Sequence, residues 1–584
     1  MKQGLRLALV FALYAVIFVV CTWPLLPNAT SSFLAVPGRD SFQFFWNAWH
    51  FRQAAVHGHN PYHTDWLFFP RGTWLVMHAY TPVLGILGTV LGSELLGVNV
   101  GLWLSFALSG TGAYVLARRW LHSPVLGLLA GFVFAFSPFK LQRLPEHYNL
   151  VLTATVPFYV LALLQAFAWQ EGRWLPAVRS WRAVAACAVL GVVTLFSDYY
   201  VLFGLLYFTL AYAAWFGLRI GRIRWRAWRT WAWLGAGLLA SHVLIKQLRH
   251  AGLDTNGGFW WGGDVVAFFL PPPTSRWLAF EWAARLHANP DVFNTPGSVE
   301  NTLFVGYALP ALAIGLWVAR YWRAAAWHQD PLGRPLAWVL GVLLLLTVPG
   351  LRIYGHEWLN LPTSVLHFVP FFNNIRCPTR WIMLVGLVLP IVSLGALEAA
   401  WRGRLRPATQ TGLGLLLCAV VAVEYWPRPY HRAALAAVPA VYQQVRHLAG
   451  TSLIPVPLGV QDGHRRVGDM ATEQLFYQAV HRKKLPGGYV SRVSPALFQG
   501  LEQDAVLSAV LRVQSDPAAV NQAAPTPAQL QDFLRTYDPA AFVFDPAYAR
   551  QPVRAYVRRL FEPLGFTEEE EVGGYVLLRR PARR

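Results

Sequence analysis

Apolar residues come in long unbroken runs from residue 5 to residue 427, and beyond that point they do not. A helix needs ~20 apolar residues to cross the hydrocarbon core of a bilayer. Helices and closed barrels alone satisfy their backbones there. The runs predict eleven spans, at about 7–26, 99–117, 123–139, 149–169, 183–199, 200–218, 231–248, 302–319, 336–351, 380–400 and 410–427. The run at 78–97 is left out of this set, because it holds Pro82 and four glycines and reads as a helix lying beside the membrane.

After residue 427 the apolar runs shorten to strand length, as in Ser452-Leu-Ile-Pro-Val-Pro-Leu458 and Ala541-Phe-Val-Phe544. Helical patterns intervene near 468–481 and 549–562, and 572–579 reads as a closing strand. The expected fold class is therefore a polytopic α-helical membrane protein of about 11 transmembrane helices with outer juxtamembrane helices, plus a C-terminal soluble α/β domain. The expected domains are 1–427 and 428–584.

Composition agrees with the pattern. The chain is 55% hydrophobic and 13% charged, against about 25% charged in globular proteins. Its net charge of +20 would suggest nucleic acid in a soluble protein. Here the arginines gather in short loops at 118–119, 171–182, 218–229, 319–334 and 402–406. That is a topology signal, and no nucleic-acid partner is expected. It puts these loops and the N-terminus inside a cytoplasmic membrane and the C-terminal domain outside. Lys2 and Arg6 precede the first run and no small-residue cleavage site follows, so an uncleaved first helix is expected. Four cysteines give neither a disulfide framework nor zinc spacing.

Charge matters most where the topology predicts the outer face. The first outer loop holds Val36-Pro-Gly-Arg-Asp-Ser-Phe-Gln-Phe-Phe-Trp-Asn-Ala-Trp-His50, with Asp40 beside Arg39. The second holds Ser137-Pro-Phe-Lys-Leu-Gln-Arg-Leu-Pro-Glu-His-Tyr148, with Lys140, Arg143, Glu146 and His147. Asp198 lies in a tight turn, followed by Asp254, Asp264 and Glu300, then His356, Glu357, Arg376 and Arg380. Acids and bases on one side of a bundle suit transfer from a phosphate leaving group. A carboxylate takes the proton of the nucleophile, while guanidinium or ammonium groups neutralise charge on the phosphate. Plainer roles compete: Asp40 and Asp198 as turn or cap residues, Glu146 as the i+3 partner of Arg143, Glu300 as a helix N-terminal acid. His57, His59 and His63 raise the possibility of a divalent metal, although no helical His spacing supports it.

These residues resemble a family. An acid in the first outer loop (Asp40), juxtamembrane segments at Asn60-Pro61 and Tyr80-Thr-Pro82, and an acid in the second outer loop (Glu146) resemble the glycosyltransferase C superfamily. Within it the chain looks like bacterial membrane proteins related to protein mannosyltransferases and to YfhO. The stretches that carry this are Phe134-Ala-Phe-Ser-Pro-Phe, Gly262-Gly-Asp-Val-Val-Ala-Phe-Phe-Leu-Pro271, Ser298-Val-Glu-Asn-Thr-Leu-Phe-Val-Gly-Tyr307, Pro370-Phe-Phe-Asn-Asn-Ile-Arg-Cys-Pro-Thr-Arg380, and 470–492 with Gly487-Gly-Tyr489.

The resemblance implies an inverting glycosyltransferase that uses a polyprenyl-phosphate-linked sugar donor and a lipid, glycan or protein acceptor among membrane lipids. Asp40 would be the general base. Glu146 and His147 would orient donor or acceptor. Arg376 and Arg380, with Lys140 or Arg143, would hold the phosphate. Arg39, Asp198, Asp264 and Glu300 would complete the substrate contacts. The mannosyltransferases carry an Asp-Glu pair in the first loop, whereas Ser41 follows Asp40 here. A lipid or polysaccharide flippase and a non-catalytic envelope-assembly protein are the competing readings.

Overall fold

The computed structural model describes residues 2–251, 259–295, 297, 299–463 and 465–581. Asp254 and Ser298 lie outside the described residues. The chain forms two compact units, one of residues 1–26 and 102–430, the other of 27–101 and 431–584.

The first unit is helical. Among the described residues, six helices are long and apolar enough to cross a membrane: Gln3–Cys21, Glu94–Ala117, Pro124–Arg143, Tyr199–Gly217, Pro378–Trp401 and Pro407–Tyr425. They coincide with six of the eleven expected spans and define a multi-pass membrane protein. Four of the other expected spans form shorter apolar helices, Thr155–Ala166, Trp181–Leu195, Ala308–Val318 and Pro335–Thr347. At ~1.5 Å of rise per residue, a helix of 11 to 15 residues falls short of the ~30 Å core. The fifth, Trp228–His250, has 23 residues but carries Arg229, Lys246 and Arg249.

Packing in this unit uses small residues. The Tyr14 ring lies against Gly110 and Gly131, where any Cβ would meet it, and its hydroxyl donates to the Leu128 carbonyl at 2.8 Å. The Pro124–Arg143 span is made of two helices, Pro124–Ala135 and Pro138–Arg143. Pro138 ends the first ladder, and the Ser137 side chain caps the second by accepting from the Lys140 amide.

The second unit joins chain segments far apart in sequence, 27–101 and 431–584. Strand Ser32–Leu34 pairs antiparallel with Arg432–Ala434, Ser32 opposite Ala434. Helix Ser41–Val56 is buried through its first ten residues, Ser41 to His50. Phe33 stacks on Phe45 at 4.8 Å, and the Phe476 ring stands edge-on to Phe45 at 5.0 Å. The Trp46 indole donates to the Gln478 side chain at 2.6 Å. Buried aromatic area of this kind dominates core energetics, which is why 27–101 clusters with the C-terminal segment.

The unit's four-stranded sheet runs Glu568–Val572, Tyr575–Arg579, Pro539–Phe544, Ser452–Val456. Pro539–Phe544 is parallel to Ser452–Val456 and antiparallel to Tyr575–Arg579. A second sheet orders Arg466–Gly468, Gly459–Gln461 and Gly488–Tyr489.

The 78–97 run is two elements rather than one. Helix Pro82–Val90 ends in a turn at Gly92, with φ of +70°, and helix Glu94–Ala117 begins five residues before the expected 99. A Cβ on Gly97 would strike the Gly88 backbone, and one on Gly85 the Phe51 ring. The glycines thus permit close crossing of elements.

Candidate active site

Glu300 is the centre of the charged cluster in the helical unit. It sits just before the short helix Ala308–Val318 and is 19% exposed. Arg380 grips it with two bonds, Nε to Oε2 at 3.1 Å and Nη2 to Oε1 at 2.5 Å. Arg143, whose side chain is fully buried, donates from Nη2 to Oε2 at 3.2 Å. The His147 Nε2 stands 3.8 Å from Oε1. Burial would raise the Glu300 carboxyl, but the guanidiniums of Arg380 and Arg143 outweigh it and hold it well below the usual carboxylate range. A carboxylate so held is a poor proton acceptor and a good anchor for the two arginines.

The arginines come from the two proline-started elements, which explains their placement. Arg143 ends the helix Pro138–Arg143, and Arg380 lies in the first turn after Cys377-Pro378. The Arg380 guanidinium lies 4.5 Å from the Tyr200 ring centre, and the Tyr200 hydroxyl accepts from the Arg376 amide at 2.9 Å. The Arg376 guanidinium is 5.8 Å from the Trp261 ring. Arg143 packs on Phe139 at 4.0 Å, and its Nε and Nη1 have no hydrogen-bond partner among the described residues.

The remaining predicted residues of this unit have partners of their own, and the Arg380 charge also acts on Asp198. Glu146 is half-buried in the turn after Arg143; the ion-pair partner of Arg143 is Glu300, across 157 positions of sequence. Lys140 is buried, donating to Thr153 at 2.9 Å and Ser109 at 3.2 Å over the Phe106 ring. Asp198 caps helix Tyr199–Gly217 by accepting from the Val201 amide at 3.1 Å, and it accepts from the Asn149 side chain at 2.6 Å. Asp264 is fully buried and accepts backbone donors from Val266, Tyr354 and Gly355 at 2.8, 3.1 and 2.8 Å. It thereby fixes the hairpin of Gly350–Ile353 and His356–Asn360. Two further acids do similar structural work: Glu398 accepts from the amides of His122 and Ser123, and Glu424 from those of Tyr307 and Ala308.

Asp40 and Arg39 belong to the second unit. Arg39 is exposed and Asp40 half-buried at the start of helix Ser41–Val56. The Tyr489 hydroxyl donates to Asp40 Oδ1 at 2.8 Å. Tyr489 follows two closely packed glycines: a Cβ on Gly487 would strike the Gly459 carbonyl, and one on Gly488 would press on Leu67 and Phe68. Beside this pair, Gln43 and Asn47 share the buried His78 ring, at 3.2 and 2.9 Å, and the Ser491 amide donates to it at 3.0 Å.

The sequence pattern singled out Gly487-Gly-Tyr489 without giving Tyr489 a role, and Tyr200 and Asn149 had no signal beyond proximity to charged positions. Among the described residues no three His, Cys, Asp or Glu side chains gather to hold a metal. His57 stacks on His59, and His63 lies edge-on to Trp74.

Six apolar helices and a partly open, arginine-rich cluster around one carboxylate define a multi-pass membrane protein with a built polar site. Residues 9–447 match the family described as domain of unknown function DUF6311, and the chain belongs to that family. No curated protein matches the sequence. Among solved structures, the mycobacterial arabinofuranosyltransferase AftD is similar at 16% identity and a TM-score of 0.47, covering 99% of this chain and 40% of that one. The archaeal oligosaccharyltransferase AglB of Archaeoglobus fulgidus, solved with an inhibitory peptide and a dolichol-phosphate, is similar at 13% identity and a TM-score of 0.40, covering 93% and 70%. The chain spans two fifths of the length of the arabinofuranosyltransferase.

Proposed function

We propose that the protein is an inverting membrane glycosyltransferase that moves a sugar from a polyprenyl-phosphate donor to a lipid, glycan or protein acceptor. The observation that carries this reading is the cluster at Glu300. Two guanidiniums flank one carboxylate in a site that is partly open at Arg380, Glu300 and His147. Planar guanidinium forks suit phosphate oxygens, and the buried Nε and Nη1 of Arg143, without partners among the described residues, add donors. Glu300 orients the arginines, and Arg380 with Arg143 faces the donor phosphate. Arg376, held through its amide by Tyr200, adds a third guanidinium.

Asp40, in the other unit, takes the role of general base, and Tyr489 aims its carboxylate. This is tested on its own by substitution. Glu146 and His147 orient donor or acceptor. The five shorter or more polar helices complete about eleven spans, with the N-terminus and arginine-rich loops inside the cytoplasmic membrane.

The test is transfer of labelled sugar from polyprenyl-phosphate donors in proteoliposomes, run beside a lipid-flipping assay. Transfer lost in Arg380→Ala supports the assignment. Flipping without transfer would replace it with a transporter.

A further inference from the structure

The second unit contains a cavity of about 240 Å³ that none of the roles above uses. Phe68, Phe69 and Tyr537 supply aromatic walls, with Phe69 edge-on to Tyr537 at 6.3 Å. Arg71, Gln503, Asp504 and Thr536 supply polar groups. Phe68 is held at φ of +56°, which for a bulky residue is a strained conformation that the surrounding packing must impose.

The lining decides the chemistry of the occupant. One guanidinium and one carboxylate cancel, so the cavity favours neither a phosphate nor a cation. Asp504 is already fixed: Oδ1 accepts from the amides of Val506 and Leu507 at 3.0 and 2.9 Å, and Oδ2 accepts from Tyr537 at 3.2 Å. Each carboxylate oxygen carries two lone pairs, so Oδ2 can take a second hydroxyl. The Arg71 Nη1 donates to the Ala496 carbonyl at 3.2 Å and keeps its other N–H groups for acceptors at the mouth. A volume of about 240 Å³ lies below the ~300 Å³ lower bound of drug-sized sites, so the occupant is one small ring. Aromatic walls, paired donors and acceptors and no net charge match the two faces and the hydroxyl rim of a neutral sugar.

We propose that this cavity binds a single neutral sugar residue of the acceptor glycan. The acceptor assignment rests on the glycosyl-transfer reading; the sugar binding does not. The test is saturation-transfer NMR on the full chain in nanodiscs with a panel of methyl glycosides of hexoses and pentoses, at millimolar concentration and without any donor. Gly500→Leu closes the cavity: the atoms nearest a Cβ there belong to the movable Arg71 guanidinium, and Gly500 lies in helix Pro495–Gln503, where leucine is favoured. An unchanged unfolding midpoint shows that the variant is folded. Tyr537→Phe removes one hydroxyl as a second probe.

The expected result is binding of at least one glycoside, weakened about tenfold or more by Gly500→Leu and less by Tyr537→Phe. Absence of binding across the panel, or equal binding by folded Gly500→Leu, overturns the proposal. Because no donor is present, failure of the transfer reading leaves the NMR result unchanged, whereas absent binding with transfer intact removes only this cavity's role.

Discussion

The Tyr489 hydroxyl donates to the Asp40 carboxylate at 2.8 Å across 449 positions of sequence. It joins the two stretches of the second unit whose composition stood out, the aromatic run after Asp40 and the Gly487-Gly-Tyr489 segment. If Asp40 is the base, Tyr489 positions it. Tyr489→Phe should then lower kcat several-fold with little change in donor KM, while stability falls by about 1.5–3 kcal/mol for one lost bond to a charged acceptor. Steady-state kinetics and urea unfolding check the two effects separately.

Arg380 and Glu300 form a pair held by two hydrogen bonds in the helical unit. Glu300→Ala leaves two guanidiniums facing each other without their acid. Breaking a buried pair from one side costs about 3–5 kcal/mol, so this variant should be destabilised and inactive. The double variant Glu300→Ala/Arg380→Ala should recover part of the stability and none of the activity. Thermal unfolding in detergent, set beside the transfer rate, separates the structural from the functional loss.

The second unit should lose stability in acid. Burial lowers His50 to about 4, His78 to about 3 and His481 to about 3, from an ordinary 6.5. The unfolded chain therefore binds protons below pH 6.5 that the folded unit refuses. Stability is complete above 6.5 and falls toward pH 4 by about 1.4 kcal/mol per pH unit for each histidine. His78→Gln should flatten this slope, as read from unfolding midpoints between pH 4.5 and 7.5.

Gly97 crosses Gly88 so closely that any Cβ meets backbone. Gly97→Leu should destabilise the second unit by about 1–3 kcal/mol or more, the usual range for overpacking, whereas Gly92→Asn in the neighbouring turn should be mild because asparagine tolerates positive φ. Protease resistance of the two variants gives the comparison.

Much of this was legible in the sequence. Hydropathy located all six long helices, because a lipid-crossing helix must be apolar along its whole length. Of the other five runs, four form helices of 11 to 15 residues and the fifth, Trp228–His250, is long but carries Arg229, Lys246 and Arg249. The charged residues were visible as a set, yet their pairing was not: Arg143 has an acid three positions on and uses one 157 positions away. Asp264 reads as a site acid in sequence and holds a hairpin in the structure, because three backbone donors converge on it. The membership of 27–101 in the C-terminal unit rests on ring packing such as Phe45 on Phe476, which no local pattern announces.

The central claim is glycosyl transfer with Asp40 as its base, and one substitution tests it most directly. Sugar transfer from a polyprenyl-phosphate donor should be measured for the wild-type protein and for Asp40→Asn, both reconstituted and shown to be folded by their unfolding midpoints. The expected result is transfer by the wild type and a fall of at least about 100-fold in the variant, the scale of a lost general base. Equal rates in the two proteins would contradict it.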